Sequence, residues 1–502
     1  MRIEPQSKFS CDDVEKIIRE TKKIELGSQA KKNIELSRRI VEKLAFGDKA
    51  IYGINTGFGR LAQVRISKDQ LSELQVNLLR SHSSGIGEAM SAENVRRLNF
   101  LRILSLAKAR SGISWPLLER HFDYFNRGLH PFVPLQGSVG ASGDLAPLSH
   151  FGLTFMGEGY FLVGDKKDSA AKILKKEKLE PLKIGPKEGL SLTNGTQFSL
   201  SLALSVLAQW KHLRPWIEAA AALSVESFRA TNQVFDPKVH ELKGHAFQKI
   251  VAKRIFDLLK GSSHMKSHEA CELVQDPYSF RCIPQVMGPA YALIQQAESL
   301  LEDELNSVSD NPLVFYESQE IRSAGHFHAQ SVSFASDLMS MAMISIGNLI
   351  ERRVDQLVNP TSDRLPAFLA SSPGLESGLM IVQTAAAALA SENKTMGFPA
   401  SADTIPTNAN QEDHVSMAPN AARKADYILG NLRKILAAEL VCATRAGVIE
   451  STRSGKSFSP KIQLLLQWLG KNRAELFQSG DRVFSEDLQF LETLIQTEDC
   501  PI

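Results

Sequence analysis

Between Gly137 and Asp144 the chain reads Gly-Ser-Val-Gly-Ala-Ser-Gly-Asp, and none of the first seven side chains is larger than valine. Such a run suits a flexible turn, or an anion site at the start of the helix expected from Leu145 onward. Its glycine spacing fits neither a dinucleotide-binding loop nor a phosphate loop. Asp144 stands where a serine-hydrolase elbow needs glycine. A third chemistry uses every residue. If the backbone bends tightly, as glycine permits, the Gly143 nitrogen can attack the Ala141 carbonyl. Loss of one water from the closed ring and a second from Ser142 then leaves an exocyclic methylene conjugated to a five-membered ring. The product, a methylidene-imidazolone, is an electrophile that ordinary side chains do not supply.

Other segments carry groups of possible chemical use, each with a plain structural reading beside it. Tyr52 opens Tyr-Gly-Ile-Asn-Thr-Gly-Phe-Gly, a glycine-rich loop with one tyrosine. His82, in Arg-Ser-His-Ser-Ser-Gly from Arg80, lies on an apolar helix face, where a histidine is commonly a satisfied core residue. Asn194 sits in Leu-Thr-Asn-Gly-Thr. Gln275, Tyr278 and Arg281 share a segment bounded by Pro277 and Pro284 and expected to be loop-like. Phe327 lies in Gly-His-Phe-His-Ala-Gln, and Glu412 in a polar string from Asn408 to Met417 that leads into a long helix.

Together these segments resemble one family. Gly-x-Val-Gly-Ala-Ser-Gly-Asp-Leu-Ala-Pro-Leu-Ser-His looks like the signature of the aromatic amino-acid ammonia-lyases, which form methylidene-imidazolone autocatalytically from Ala-Ser-Gly. The resemblance implies that Ala141, Ser142 and Gly143 become that prosthetic group and that no external cofactor is needed. It makes Tyr52 the base that removes a β-proton, and a phenol titrating near 10 must be lowered by nearby positive charge or helix N-termini to do so. Asn194 contacts the prosthetic group, Arg281 grips the substrate carboxylate, Tyr278 lies beside the electrophile and Gln275 belongs to the same site. Phe327 lines the pocket.

The resemblance also bears on substrate. Ser81-His82 is the dipeptide of histidine-specific members, where phenylalanine and tyrosine lyases carry Phe-Leu or His-Leu. Glu412 matches the glutamate that holds a substrate imidazole in those members. A buried carboxylate can pair with an imidazole N–H, whereas a phenyl ring would leave it unpaired. The implied reaction is removal of ammonia from L-histidine to give trans-urocanate; a related tyrosine or phenylalanine lyase or aminomutase is the alternative. His326 and Gln330 depart from the family's Gly-Asn-Phe-His-Ala-Glu, which bears on pocket electrostatics and turnover.

The elements that must position these groups read as mainly α. Long apolar stretches at roughly 206–231, 285–307, 329–357, 376–393 and 418–449 suit helices buried on all sides of a bundle. Leu71, Leu74, Leu78 and His82 share one face of a helix expected to start from a capping pattern at Ser67 and Gln70 and to end at Ser83-Ser84-Gly85. A second apolar stripe follows a candidate cap at Ser91. The segment 158–190 has room for a short hairpin. The division expected is residues 1–200, with the tyrosine and Ala-Ser-Gly loops, and 201–502, with the long helices. The resemblance adds an aspartase/fumarase-like central bundle and a homotetramer whose sites draw residues from three subunits.

Composition bounds the rest. The 502 residues are 43% apolar and 23% charged with a formal net charge of +2, which suits a globular protein without a nucleic-acid footprint. Five scattered cysteines lack metal-type spacing and suit a reducing, cytoplasmic setting. The stretches at 331–350 and 379–390 carry polar residues and are not expected to span a membrane. His326/His328 and His264/His268 are possible metal pairs, yet neither has an evident third ligand, and no metal is expected. A catalytically dead scaffold and a serine hydrolase using Ser142 are further competing readings.

Overall fold

The computed structural model describes residues 1–164, 166–266, 274–359 and 365–502. The fold is mainly helical, with four two-stranded sheets among the described residues. The longest helices are Gln197–Phe228, Ile283–Leu305, Gln330–Val358 and Ala418–Ser454. Their buried positions are dominated by small and aliphatic residues, such as fully buried Ala219–Ala222 and Leu436–Ala437. A helix apolar on most faces is stable only when covered on most faces.

Helix ends follow local chemistry more closely than the apolar pattern suggests. The first long helix begins at Gln197, earlier than the expected 206, because Ser199, Ser201 and Ser205 hide a buried face behind poor helix formers. It stops at Phe228, before the expected 231, where Arg229 turns left-handed at φ 58°. The expected 376–393 helix starts only at Met380, just after Gly378 at φ 59°. The last long helix runs on to Ser454 and ends at left-handed Gly455. The segment around Arg281 is not loop throughout. Tyr278–Arg281 forms a helical turn, and Pro284 sits in the first turn of the next helix, where no donor is needed.

At Ser67 the expected cap is not made. Its hydroxyl bonds the Gln70 side chain at 2.7 Å, a short 3-10 turn intervenes, and the helix starts at Leu71. That helix ends at His82, as expected, and Ser91 does cap the Ala92–Ala107 helix by accepting from the Asn94 amide. The expected hairpin pairs Tyr160–Val163 with Lys166–Ser169.

The chain divides into two compact units. The first comprises residues 1–205, 297–337 and 399–423; the second comprises 206–296, 338–398 and 424–502. In the first, the Val139–Ala141 region packs with Ala400, Val415, Met417 and Ala421. In the second, Arg353 and Glu439 form a fully buried ion pair at 2.5 Å, to which Ser224 donates a hydroxyl at 2.8 Å. Charges so deeply buried persist only when paired and hydrogen-bonded. The Gln330–Val358 helix is long and apolar enough to cross a membrane, but 61% of its most apolar window is buried, the setting of a core helix. None of the four described cysteines forms a disulfide, and Cys271 lies outside the described residues.

Candidate active site

The Ala-Ser-Gly loop is held in a tight bend by its neighbours. Gly140 and Gly143 take φ 65° and 79°, the left-handed region that glycine enters without steric cost. A Cβ on Gly143 would stand 2.4 Å from the Gly195 carbonyl oxygen and 2.5 Å from its nitrogen, so two backbones meet there with no room for a side chain. The Asp144 amide donates to the Gly195 carbonyl at 2.7 Å, and Ser416 donates its hydroxyl to the Gly140 carbonyl at 2.9 Å. Asp144 is fully buried and accepts from the Ser199 amide and hydroxyl, both at 2.9 Å. Burial pushes its carboxyl up to about 7 despite those bonds.

Asn194 leaves the short Glu188–Thr193 helix as its C-terminal cap and donates its side-chain amide to the Ser142 carbonyl at 2.8 Å. The Ser142 hydroxyl donates to the Glu412 carboxylate at 2.5 Å, and the other Glu412 oxygen accepts from the Thr407 hydroxyl at 2.7 Å. Glu412 is placed by a turn in which Thr407 and Glu412 bridge as a strand pair around left-handed Asn408, Ala409 and Asn410.

These groups open onto one cavity of about 690 Å³, wholly within the first unit. Its wall includes Tyr52, Ser81, His82, Ser142, Asn194 and Glu412. Leu74, Leu78 and His82, expected on a packed helix face, all front this space, so the stripe serves the cavity as well as the core. Sequence reasoning missed Asn77 and Asn408, which also line it. Asn77 and Ser81 are one helical turn apart on the face that carries His82, and that spacing was a usable signal.

The expected lowering of the Tyr52 phenol does not occur within the single chain. Burial raises its pKa, the Glu412 carboxylate raises it further, and only the Gly59 amide, donating to the phenol oxygen at 3.4 Å, opposes them. Among the described residues the cavity wall contains neither arginine nor lysine. His82 moves the other way: burial lowers its pKa, partly offset by a backbone bond at Leu78 and by Glu412. Its Nδ1 lies 3.0 Å from the Ser81 hydroxyl.

Not every expected site residue meets here. Gln275, Tyr278 and Arg281 belong to the second unit; Gln275 is exposed, Tyr278 is 68% exposed, and the Arg281 guanidinium stacks 4.4 Å over the Tyr278 ring. Phe327 belongs to the first unit, half-buried, but is not part of the cavity wall. His326 is exposed, while the rings of His328 and His414 stack with centroids 5.7 Å apart. His268 of the other histidine pair lies outside the described residues. Among the described residues, Cys11, Glu298 and Glu302 bring donor atoms within 4.8 Å of one another, away from this cavity wall.

A catalytic loop of this form has known counterparts. Residues 9–469 match the family model described as aromatic amino acid lyase. The chain belongs to the aromatic amino acid lyases. Like other lyases of this family it is a carbon–nitrogen lyase that releases ammonia. It is 40% identical to a histidine ammonia-lyase of Geobacillus sp. (strain WCH70), over 98% of this chain and 96% of that protein. The crystal structure of histidine ammonia-lyase from Trypanosoma cruzi superposes with a TM-score of 0.88 at 36% identity, covering 99% of this chain and 94% of that one. The lyase fold is shared equally with a phenylalanine aminomutase of Pantoea agglomerans, at TM-score 0.92 and 29% identity over the full length of both chains. Shape alone therefore does not choose the substrate within this family, and the cavity residues must.

Proposed function

We propose that this lyase is a histidine ammonia-lyase that converts L-histidine to trans-urocanate and ammonia, with Ala141-Ser142-Gly143 matured to methylidene-imidazolone. One observation carries the choice of substrate: the Glu412 carboxylate and the His82 imidazole line the same cavity as Ser142. A substrate imidazole can satisfy such groups, and a phenyl or phenol ring cannot satisfy both. The histidine ammonia-lyases among the curated relatives, at 40% and 42% identity over nearly the whole chain, support the same choice.

The loop fits the prosthetic group it is proposed to form. The Gly143 backbone is pressed against Gly195 in a bend only glycine tolerates, and Asn194 already bonds the Ser142 carbonyl, whose carbon enters the ring and whose oxygen becomes the ring's exocyclic carbonyl. The Asn194 side-chain oxygen is buried without a hydrogen bond among the described residues. Once formed, the group supplies an electrophilic methylene carbon beside the substrate.

The chain's own residues do the rest. Glu412 and His82 orient the imidazole, and Asn194 holds the carbonyl that gains negative charge, a preorganised donor of the kind that gives the largest electrostatic gains. Tyr52 takes the β-proton. With neither arginine nor lysine in the cavity wall among the described residues, the charge that activates its phenol comes with assembly or with the substrate ammonium. Arg281, Tyr278 and Gln275 are assigned to the substrate carboxylate and the electrophile of a neighbouring subunit's site, and Phe327 to the pocket lining. The exposure of Gln275 and Tyr278 supports a homotetramer with shared sites, as do exposed Phe334, Met341, Ile381 and Phe398. A cytoplasmic setting accords with the four described cysteines, which form no disulfide.

The test is direct. Purified protein mixed with L-histidine should develop the ultraviolet absorbance of urocanate, with little ammonia released from phenylalanine or tyrosine. Ammonia from either of those, with none from histidine, would transfer the assignment to the tyrosine/phenylalanine branch.

A further inference from the structure

Arg102 is not part of the cavity wall, yet it is a charged side chain only 1% exposed, on the Ala92–Ala107 helix. Burying a guanidinium is costly unless hydrogen bonds and opposite charges compensate it. Here Nη1 donates to the Asn194 carbonyl at 2.9 Å and to Gln197 Oε1 at 2.8 Å, while Nη2 donates to the Ser191 carbonyl. Those carbonyls close the Glu188–Thr193 helix, whose last acceptors have no partner within the helix and suit a cation. Burial lowers the guanidinium to about 10, countered by the charges of Asp310 and Asp144, so it remains a cation at neutral pH.

The same guanidinium shapes the next residue. A Cβ on Gly195, at φ 141°, would stand 2.8 Å from Arg102 Nη1, 2.3 Å from Gln197 Oε1 and 2.9 Å from the Ser309 carbonyl. Arg102 thus holds Asn194 from one side and fills the space beside Gly195. From the other side Asn194 and Gly195 make the two bonds that grip the reactive loop, to the Ser142 carbonyl and from the Asp144 amide.

We infer that Arg102 is a positioning residue for the reactive loop: it clamps the end of the Glu188–Thr193 helix so that Asn194 and Gly195 bend Ala141-Ser142-Gly143 into the shape that cyclises. This rests on the proposed maturation of that loop. A fork is needed because three acceptors, two carbonyls of one helix end and the Gln197 side-chain oxygen, are met by two nitrogens of one guanidinium; lysine keeps the charge and loses the fork.

The control is on the same helix. Arg97 is also 1% exposed, and it pairs with Glu15 and Glu93, far in sequence from the loop and not bonded to Asn194. Arg102→Met, Arg102→Lys and Arg97→Met are purified beside the wild type. Each is read for thermal stability, for the fraction of the Ser142 peptide lighter by two waters, and for kcat and KM. The wild type must carry the deficit; a wild-type peptide at full mass overturns the maturation reading itself, and this inference with it. Given the deficit, Arg102→Met should leave most of the peptide at full mass and lower kcat by at least about tenfold. Arg102→Lys should recover part of both with KM little changed, and Arg97→Met, though less stable, should mature fully. If Arg102→Met does not fold, Arg102→Lys is compared with Arg97→Met on the same readouts. Complete maturation and wild-type kcat in the folded Arg102 variants, or an equal maturation loss in Arg97→Met, would reduce Arg102 to ordinary core support.

Discussion

Ser142, Glu412 and Tyr52 make the chemistry separable residue by residue. Ser142→Ala removes the hydroxyl that must leave as water while keeping the small side chain the bend accepts. The expected outcome is a folded protein of wild-type circular dichroism with no two-water deficit and essentially no urocanate formation; wild-type turnover would remove the mechanism. Glu412→Ala deletes the carboxylate proposed for the imidazole. A hydrogen bond to a charged group is worth about 1.5–3 kcal/mol, so kcat/KM for histidine should fall roughly 10- to 100-fold, while discrimination against phenylalanine weakens. For Tyr52 the sign of the pH effect is fixed by its surroundings. The base acts as phenolate, burial and Glu412 raise its pKa, and the active fraction of free enzyme therefore grows as pH rises. A plot of kcat/KM should climb toward alkaline pH, and Tyr52→Phe should remove that limb with a loss on the order of 10²–10⁴ in kcat. A flat profile in the wild type would deny Tyr52 its role. Most of these residues were legible in the sequence because their motifs carry backbone constraints as well as side chains. Arg102 was not, since an arginine in an apolar stripe looks the same whether it faces water, a cavity or a buried helix end; Asn77 was marked only by its one-turn spacing from Ser81.

The site is built where loops and short helices meet, and that is the scale at which the sequence was least readable. The apolar pattern located the long helices but misplaced their ends by up to several residues. Left-handed Arg229 stops one helix early, and the buried serines from Ser199 to Ser205 disguise its true start. Nothing in the pattern revealed that the loop at Gly143 and the turn at Gly195, far apart in sequence, would form a backbone bridge. The bridge gives a test at its own scale. In Gly143→Ala the new methyl meets Gly195 backbone below 3 Å at a left-handed φ, so it cannot be absorbed by a side-chain rotation. Strain of about 1–3 kcal/mol should lower the melting temperature by some degrees and open the contact, leaving the Ser142 peptide unmatured. An alanine variant as stable and as fully matured as the wild type would mean the two backbones are not held together as described.

At the scale of the whole molecule, the residues proposed for substrate binding fall into two sets. Tyr52, His82, Asn194 and Glu412 share a cavity in one unit, whereas exposed Tyr278 and half-buried Arg281 belong to the other. If sites are completed between subunits, a chain with Tyr52→Phe and a chain with Arg281→Met, each nearly inactive alone, should regain partial activity when co-expressed. Mixed assemblies then contain sites with both residues intact, and the absence of any recovery would argue that each chain builds its site alone. The sequence pointed to assembly only through family resemblance, because a polar or apolar surface residue does not declare which copy it will meet. Beneath every one of these expectations lies the covalent state of one tripeptide. The mass of the Ser142 peptide from freshly purified, active wild-type protein tests it most directly. A deficit of two waters confined to Ala141-Ser142-Gly143 is the predicted result; an unmodified tripeptide in protein that deaminates histidine would contradict the account.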